Sequence, residues 1–312
     1  MKVVFLGGND WGNTSNRICR AINRAGGSLN ARCITQNLHP LGYEEDVVIG
    51  DDGAGLDHAR DAIMGADWVV SAGDGHYDAF DRLLTLLDVD RGAVRLGTRH
   101  AGTRYRRHQK RLDAEDREWG FECRLFAPDL YRFAVDDPTA RPFVQPQDTT
   151  LDNVPGVDDV LRICHTPRAR EIKGTELILR GLKPWLKSSR AAIVDLVENV
   201  AFETCRERRN RCHVFVDQIN PTVGGYGASA QEAMSAGLAV LADVSNVVAE
   251  VERWFPRPPI IHVQSVRDLR RELKRLIKDP EALASLRASS LEWAKAHLSS
   301  RFAGQYYSDA FA

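Results

Sequence analysis

The sequence predicts an α/β protein of two domains, each built on a parallel sheet, that face each other across a cleft. Short apolar runs that suit buried strands alternate with helical patterns in residues 1–136, and the alternation resumes after residue 156. Residues 137–156 are rich in proline and polar residues and have no hydrophobic period, which is typical of a linker. The 312 residues suffice for two domains, each of about 150 residues.

The elements follow from local patterns. An apolar run ending in glycines predicts a first strand at 2–8, and an apolar stripe that stops at Gly26-Gly27 predicts a helix at 14–27. Further strands are predicted at 29–35, 68–71, 92–100, 159–167, 191–199, 212–219, 238–244 and 258–265. Helices are predicted at 57–64, 78–89, 173–187, 202–211 and 229–237, and closing helices within 266–299. Ligands of such sheets bind at the carboxyl ends of the strands.

Composition and missing motifs exclude several classes. The formal net charge of −1 gives no global field for nucleic acid, and no apolar run approaches a membrane span. The first residues begin a strand pattern rather than a signal peptide, and the six cysteines form no CxxC pair, which indicates a cytoplasmic protein with reduced thiols. Dinucleotide, P-loop and GxSxG motifs are absent, and no metal-ligand spacing occurs, so neither metal nor cofactor is predicted.

The stretch HTPRAREIKGTELILRG is the first candidate binding motif. It begins at a strand end and opens a helix, and it carries Arg168 and Lys173 five residues apart. Helix N-termini attract anions, and an Arg fork with a Lys point charge would suit a diphosphate. The alternative is that these cations only solvate an exposed loop.

The stretch INPTVGGYGASAQEAM is the second candidate. It also joins a strand to a helix, and its glycines allow close approach of the backbone to a ligand. Glu232 lies early in the helix, where its carboxylate could accept hydrogen bonds from a vicinal diol such as a ribose. The alternative is a capping box in which Glu232 pairs with Ser229, three residues before it.

Together the two stretches resemble the nucleotide-sugar domain of GT-B glycosyltransferases, closest to glycosyltransferase family 4. In that family an Arg and a Lys with the spacing of Arg168 and Lys173 hold the donor diphosphate, and the Glu of EAM, here Glu232, binds the ribose. An earlier family Glu that contacts the sugar falls on Gly224, which implies backbone contacts instead. The donor-binding residues implied by the resemblance are Glu198, Gly224, Gly225, Tyr226, Gly227 and Glu232.

A weaker resemblance covers the N-terminal half. FLGGNDWGNTSN resembles the opening loop of the family, where Gly7 and Gly8 would approach the donor phosphate. RLGTRHAGTRYRR resembles its HGTDLR segment, which implies that His100 is catalytic and faces the cleft near the sugar. The alternative is that His100 is a structural residue.

The resemblance also implies the arrangement of the chain. The GT-B fold has two Rossmann-like domains, an acceptor-side domain at 1–148 and a nucleotide-sugar domain at 149–292, with a hinge near 144–152. Residues 293–312 would form a final helix that crosses back to the first domain.

The segment TRYRRHQKRLDAEDREW is the most basic local patch. One interpretation is an amphipathic helix with a solvated charged face. The other is an acceptor surface for an anionic partner, for which the candidate residues are Arg104, Arg106 and Arg107. The resemblance extends to compact phage enzymes that glycosylate hydroxymethylated bases in DNA.

The function expected from the resemblance is hexosyltransferase-like. A sugar would pass from a nucleotide-diphosphate donor, such as a UDP-sugar, to a hydroxyl of a glycan, a lipid-linked or small compound, or modified DNA. The family implies retention of configuration, and Arg168 with Lys173 would stabilise the leaving diphosphate without metal. The alternative is a nucleotide-sugar-binding module that has lost catalysis.

Overall fold

The computed structural model describes residues 1–73, 75–147, 160–186 and 191–312. The chain divides into two compact units, Met1–Pro146 with Ser300–Ala312, and Gln147–Ser299. The sequence placed its boundaries after residue 148 and at residue 293. Most of the predicted hinge, from residue 148 onward, lies outside the described residues.

The first unit contains a parallel sheet of seven strands. Its order is β3-β2-β1-β4-β5-β6-β7, and β1 pairs with β2 on one side and with β4 on the other. The strands are β1 (Lys2–Gly7), β2 (Asn30–Thr35), β3 (Val47–Val48), β4 (Trp68–Ser71), β5 (Arg95–His100), β6 (Cys123–Phe126) and β7 (Ala140–Pro142). The helices are α1 (Thr14–Ala25), α2 (Leu56–Ile63), α3 (Tyr77–Leu86) and α4 (Thr103–Trp119).

The second unit contains a parallel sheet of five strands in the order β12-β11-β10-β8-β9. The strands are β8 (Leu161–His165), β9 (Ala192–Leu196), β10 (Val214–Val216), β11 (Ala239–Ala242) and β12 (Ile261–His262). The helices are α5 (Arg170–Lys173), α6 (Thr175–Leu182), α7 (Phe202–Asn210), α8 (Ala228–Ser235), α9 (Val266–Lys278) and α10 (Pro280–His297). Because β9 and β10 lie on opposite sides of β8, the strand order reverses there and opens a crevice at the carboxyl ends of β8 and β10.

The last helix, α11 (Ser300–Phe311), belongs to the first unit and packs on α1. A Cβ added at Gly304 would lie 2.1 Å from the Cβ of Ala25, so the two helices approach as closely as glycine allows. The Tyr307 hydroxyl donates a hydrogen bond to the carbonyl of Val144 at 2.5 Å, and the Trp68 indole donates one to the carbonyl of Phe311 at 2.8 Å. These contacts fix the C-terminal helix to the sheet of the first unit.

The predicted fold class is confirmed, and the differences lie in short elements. β3, β6 and β7, of two to four residues each, were not predicted, and β7 lies within residues 137–156, which the sequence indicated as a linker. The helix predicted at 173–187 is found as α6, which begins only at Thr175 and ends at Leu182. Its start is shifted because Gly174, with a φ of 65°, separates it from the short helix α5 that precedes it.

Candidate functional site

The loop after β8 carries the first predicted pair of cations. Arg168 is exposed, whereas the side chain of Lys173 is 19% exposed and forms an ion pair with the buried carboxylate of Asp217. Asp217 follows β10 directly, so the pair spans the crevice at the strand reversal. The structure therefore gives Lys173 a partner that the spacing of the motif did not indicate.

The loops after β8 and β10 are joined by their backbones. Gly174 must be glycine there, since an added Cβ would lie 2.1 Å from the carbonyl oxygen of Ile219. The Ile219 amide donates to the carbonyl of Lys173 at 3.1 Å, and the Asn220 side chain donates to the carbonyl of Ile172 at 2.9 Å. The cation-bearing segment and the glycine-rich segment thus form one rigid edge.

The side chain of Gln218 hydrogen-bonds to the glycine-rich loop and fixes its position. The Gln218 amide nitrogen donates to the carbonyls of Gly225 at 2.6 Å and Asp243 at 2.7 Å. Gly224 has a φ of 51°, and an added Cβ would lie 2.4 Å from the side-chain nitrogen of Asn246. Glutamate, the family residue at this position, could not be accommodated at 224 without displacing Asn246. The buried ring of Tyr226 completes the loop, and Gly227 caps α8 in extended conformation.

Glu232 forms an ion pair with Arg209 of α7, with 2.5 Å between the nitrogen and the oxygen. The capping-box alternative is wrong, because the N-cap of α8 is Gly227 and Ser229 lies inside the helix. The Arg209 side chain is only 3% exposed. Burial alone would lower the pKa of Arg209, but the neighbouring Glu232 charge outweighs it and the pKa is raised. No local pattern distinguishes Arg209, the buried one, from the other arginines of α7.

Helix α7 connects the Glu232 pair with the Arg168 segment, because it carries both Arg209 and Cys205. Cys205 of α7 lies close enough to Thr166, two residues before Arg168, for the Thr166 side chain to lower the pKa of its thiol. Burial raises the pKa of that thiol, and the charges of Arg209 and Glu232 also act on it. Glu198, in the loop after β9, accepts a hydrogen bond from Arg170 at 2.7 Å. Glu198, the Arg168 loop and Glu232 are therefore linked by a continuous set of contacts.

His165 is an uncharged histidine that connects the elements at this edge of the sheet. His165 ends β8, and its Nδ1 lies 2.7 Å from the carbonyl oxygen of Val216, so Nδ1 carries the proton. Its Nε2 then accepts from the Thr175 hydroxyl at 2.9 Å. Burial lowers the pKa of His165 to about 4, so the imidazole is uncharged at neutral pH. This histidine ties β8 to β10 and to the start of α6.

In the first unit, the glycine loop after β1 lies next to an acidic residue. The buried Asp10 carboxylate accepts hydrogen bonds from the amides of Ser15 at 2.9 Å and Asn16 at 2.8 Å. It therefore occupies the first-turn amides of α1, where an anion would otherwise bind. Gly8 has open space around its Cβ position, whereas Gly7 packs against Ala72. Their contact with a donor phosphate stays a prediction.

His100 lies at the end of β5, as predicted, and is fully buried. Its Nε2 is 2.9 Å from the carboxylate of Asp116, and its ring packs against Tyr105 with 4.4 Å between the centroids. Asp116 also accepts from Arg124 at 2.7 Å. The surroundings of His100 are those of an interior polar network, and its catalytic role stays a prediction.

The predicted basic helix forms α4 and begins at Thr103. Two of its arginines have internal partners. Arg106 pairs with the buried Asp129 at 2.5 Å, and Arg104 donates to the carbonyl of Gly75 at 3.3 Å. Arg107 and Lys110 are exposed. Of the three arginines predicted for an acceptor surface, only Arg107 is exposed, and an acceptor role for this helix stays a prediction.

Within the described ranges, no group of three or more His, Cys, Asp or Glu side chains could hold a metal ion. No helix in the part of the chain that the structure describes is both long and apolar enough to cross a bilayer.

Comparison with known proteins identifies the fold. No protein-family model matches the sequence, and no curated protein matches it either. An alpha-glucosyltransferase in complex with UDP-glucose and DNA containing an abasic site is similar in structure, with a TM-score of 0.68, 11% identity, and coverage of 99% of this chain and 98% of that one. Anabaena HepE in complex with UDP-glucose has a TM-score of 0.65 at 10% identity, again covering 99% and 98%.

Sucrose-phosphate synthase from Thermosynechococcus elongatus is also similar, with a TM-score of 0.64 and 13% identity over 99% of this chain and 98% of that one. At such identities the likeness establishes the fold. The chain has the fold of the GT-B glycosyltransferases, as the sequence predicted.

Proposed function

We propose that this chain is a glycosyltransferase that uses a nucleoside-diphosphate sugar. The observation that carries the proposal is the joining of two sequence motifs at one sheet edge. The Lys173 segment and the glycine-rich loop are hydrogen-bonded to each other, and the Thr166–Cys205 contact leads from the Arg168 loop to Glu232. Candidate cations for a diphosphate, on the segment from Arg168 to Lys173, and a candidate carboxylate for a ribose diol, Glu232 of α8, would thus come from neighbouring segments of the second unit.

The chemistry follows from this arrangement. The bond between the sugar C1 and the terminal phosphate oxygen breaks, a bond from the acceptor oxygen to C1 forms, and the proton of the acceptor hydroxyl passes to the leaving phosphate oxygen. Negative charge develops on the leaving diphosphate, where Arg168 and Lys173 would stabilise it without a metal. Retention of configuration is part of the proposal and comes from the family resemblance alone.

Uridine is the proposed base, because the similar structures include complexes with UDP and UDP-glucose. We expect UDP and UDP-glucose to raise the melting temperature of the protein, since a ligand that binds the folded state stabilises it by about 2.7 kcal/mol at 100 times its Kd. Thermal-shift measurements with UDP, UDP-glucose, GDP and free glucose test this expectation. Free glucose is the control and should leave the melting temperature unchanged.

Release of UDP from UDP-glucose then separates an enzyme from a binding module. Slow hydrolysis or transfer supports the enzyme, whereas stable binding with no nucleotide release over hours supports a module without catalysis. A chain that no nucleoside diphosphate stabilises would contradict both versions.

Among the acceptors that the sequence indicated, DNA that bears a hydroxyl on a modified base is the candidate that an observation favours. Exposed Arg107 and Lys110 on α4 favour it, together with the similarity to a glucosyltransferase solved with DNA. We expect duplex DNA to bind with an affinity that falls steeply with salt, and R107E/K110E to lower the slope of log K against log salt by about 2. Fluorescence anisotropy measures both, with K274E/K278E on α9 as the charge-matched control. Absence of binding at low salt would remove this candidate.

A further inference from the structure

The two side chains of the ion pair between Lys173 and Asp217 differ in their solvent exposure. The Asp217 side chain is 1% exposed, whereas that of Lys173 is 19% exposed. One carboxylate oxygen, Oδ1, accepts from the ammonium, and the other, Oδ2, is buried without a hydrogen-bond partner among the described residues. The ammonium therefore covers the carboxylate, and an anion that enters from solvent meets the cation rather than Asp217.

Both ends of the pair are fixed by backbone hydrogen bonds. The Asp217 amide donates to the carbonyl of Leu241 at 2.9 Å, which extends the pairing of β10 with β11. The carbonyl of Lys173 accepts from Ile219, and Gly174 leaves no space for the segment to move inward. What remains flexible is the four-carbon stem of the lysine, whose ammonium has three rotatable donors. Asp217 engages one donor and leaves two for a ligand.

We propose that Asp217 is a positioning residue that holds the Lys173 ammonium where the donor diphosphate binds. The inference rests on the proposed function and deepens it, since it assigns a role to a carboxylate that touches the lysine rather than the ligand. Removing Asp217 would return the lysine to a range of rotamers, and ordering it again would weaken binding of the diphosphate.

The test compares UDP with UMP, which lacks the second phosphate. Calorimetric Kd values are measured for the wild type, D217N, K173M and D217N/K173M. We expect D217N and K173M each to weaken UDP binding about tenfold or more, and to change UMP binding by less than about threefold. The double variant should bind UDP no more weakly than K173M, because without the lysine Asp217 has nothing to position.

The outcomes that overturn the inference are distinct. The inference is overturned if D217N keeps the wild-type preference for UDP over UMP. It is also overturned if D217N binds UDP more tightly than the wild type, because Asp217 would then compete with the diphosphate for the lysine. If D217N does not fold, D217E decides, since its longer side chain shifts the ammonium and should lower the UDP preference. An unchanged preference in D217E overturns the inference. A wild-type chain that binds UMP and UDP equally overturns the inference, and a chain that no nucleoside diphosphate stabilises overturns the proposed function as well.

Discussion

Replacement of Lys173 or Arg168 by alanine is expected to slow sugar transfer by more than about 100-fold. Each cation would stabilise the charge that develops on the leaving diphosphate, and one preorganised contact of this kind contributes about 2.7–4 kcal/mol to lowering the barrier. Arg168 is exposed, so R168A should retain the stability of the wild type. K173A also leaves the buried Asp217 unpaired, and the double variant K173A/D217N restores neutrality at that position.

The measurement is the initial rate of UDP release from UDP-glucose with acceptor, with circular dichroism to confirm folding. K274A is the matched control, because Lys274 is an exposed lysine on α9 with the same charge. Its rate should equal that of the wild type. Transfer at the wild-type rate in folded R168A and K173A would refute the assignment of the diphosphate site.

Replacement of Arg209 by methionine is expected to lower the free energy of unfolding by about 3–5 kcal/mol. The substitution leaves the Glu232 carboxylate, whose side chain is 10% exposed, without the guanidinium that pairs with it. It also removes the ion pair that links α7 to α8 at the proposed ribose site. The double variant R209M/E232Q removes both charges and should recover most of the lost stability.

Urea unfolding measures the stability of the wild type, R209M, E232Q and the double variant, and calorimetry measures UDP binding for the same proteins. If Glu232 binds the ribose, the double variant regains stability but not UDP affinity. Recovery of both would show that Glu232 is a structural partner of Arg209, and a loss below about 1 kcal/mol in R209M would show that the pair is not buried in solution.

The elements that the sequence predicted are those with a period visible over several residues. The helix at 14–27 and the strands that became β1, β8 and β10 could be identified because apolar spacing is a local property. The candidate donor loops were also found, since each follows a strand and opens toward a helix. β3 and β7 were missed because their sequences, VV and ARP, show no strand pattern of their own and depend on pairing with a neighbour.

The partners of the site residues could not be predicted in the same way. Lys173 and Asp217 are 44 positions apart, and Arg209 and Glu232 are 23 apart. Any of the arginines in FETCRERRNR could have faced Glu232, and the helix alone does not favour one. The same limit applies to His100, whose buried contact with Asp116 depends on how α4 packs beside β5.

The sequence by itself determined the two parallel-sheet units, the loops that carry the candidate diphosphate and ribose residues, and the glycine at 224 where a family glutamate was expected. Only the tertiary structure decided that Asp217 holds Lys173, that Arg209 holds Glu232, and that Asn246 excludes a side chain at 224. The reason is physical. Hydrophobic period and turn chemistry act between neighbours along the chain, whereas ion pairing and close packing act between residues that strand order brings together.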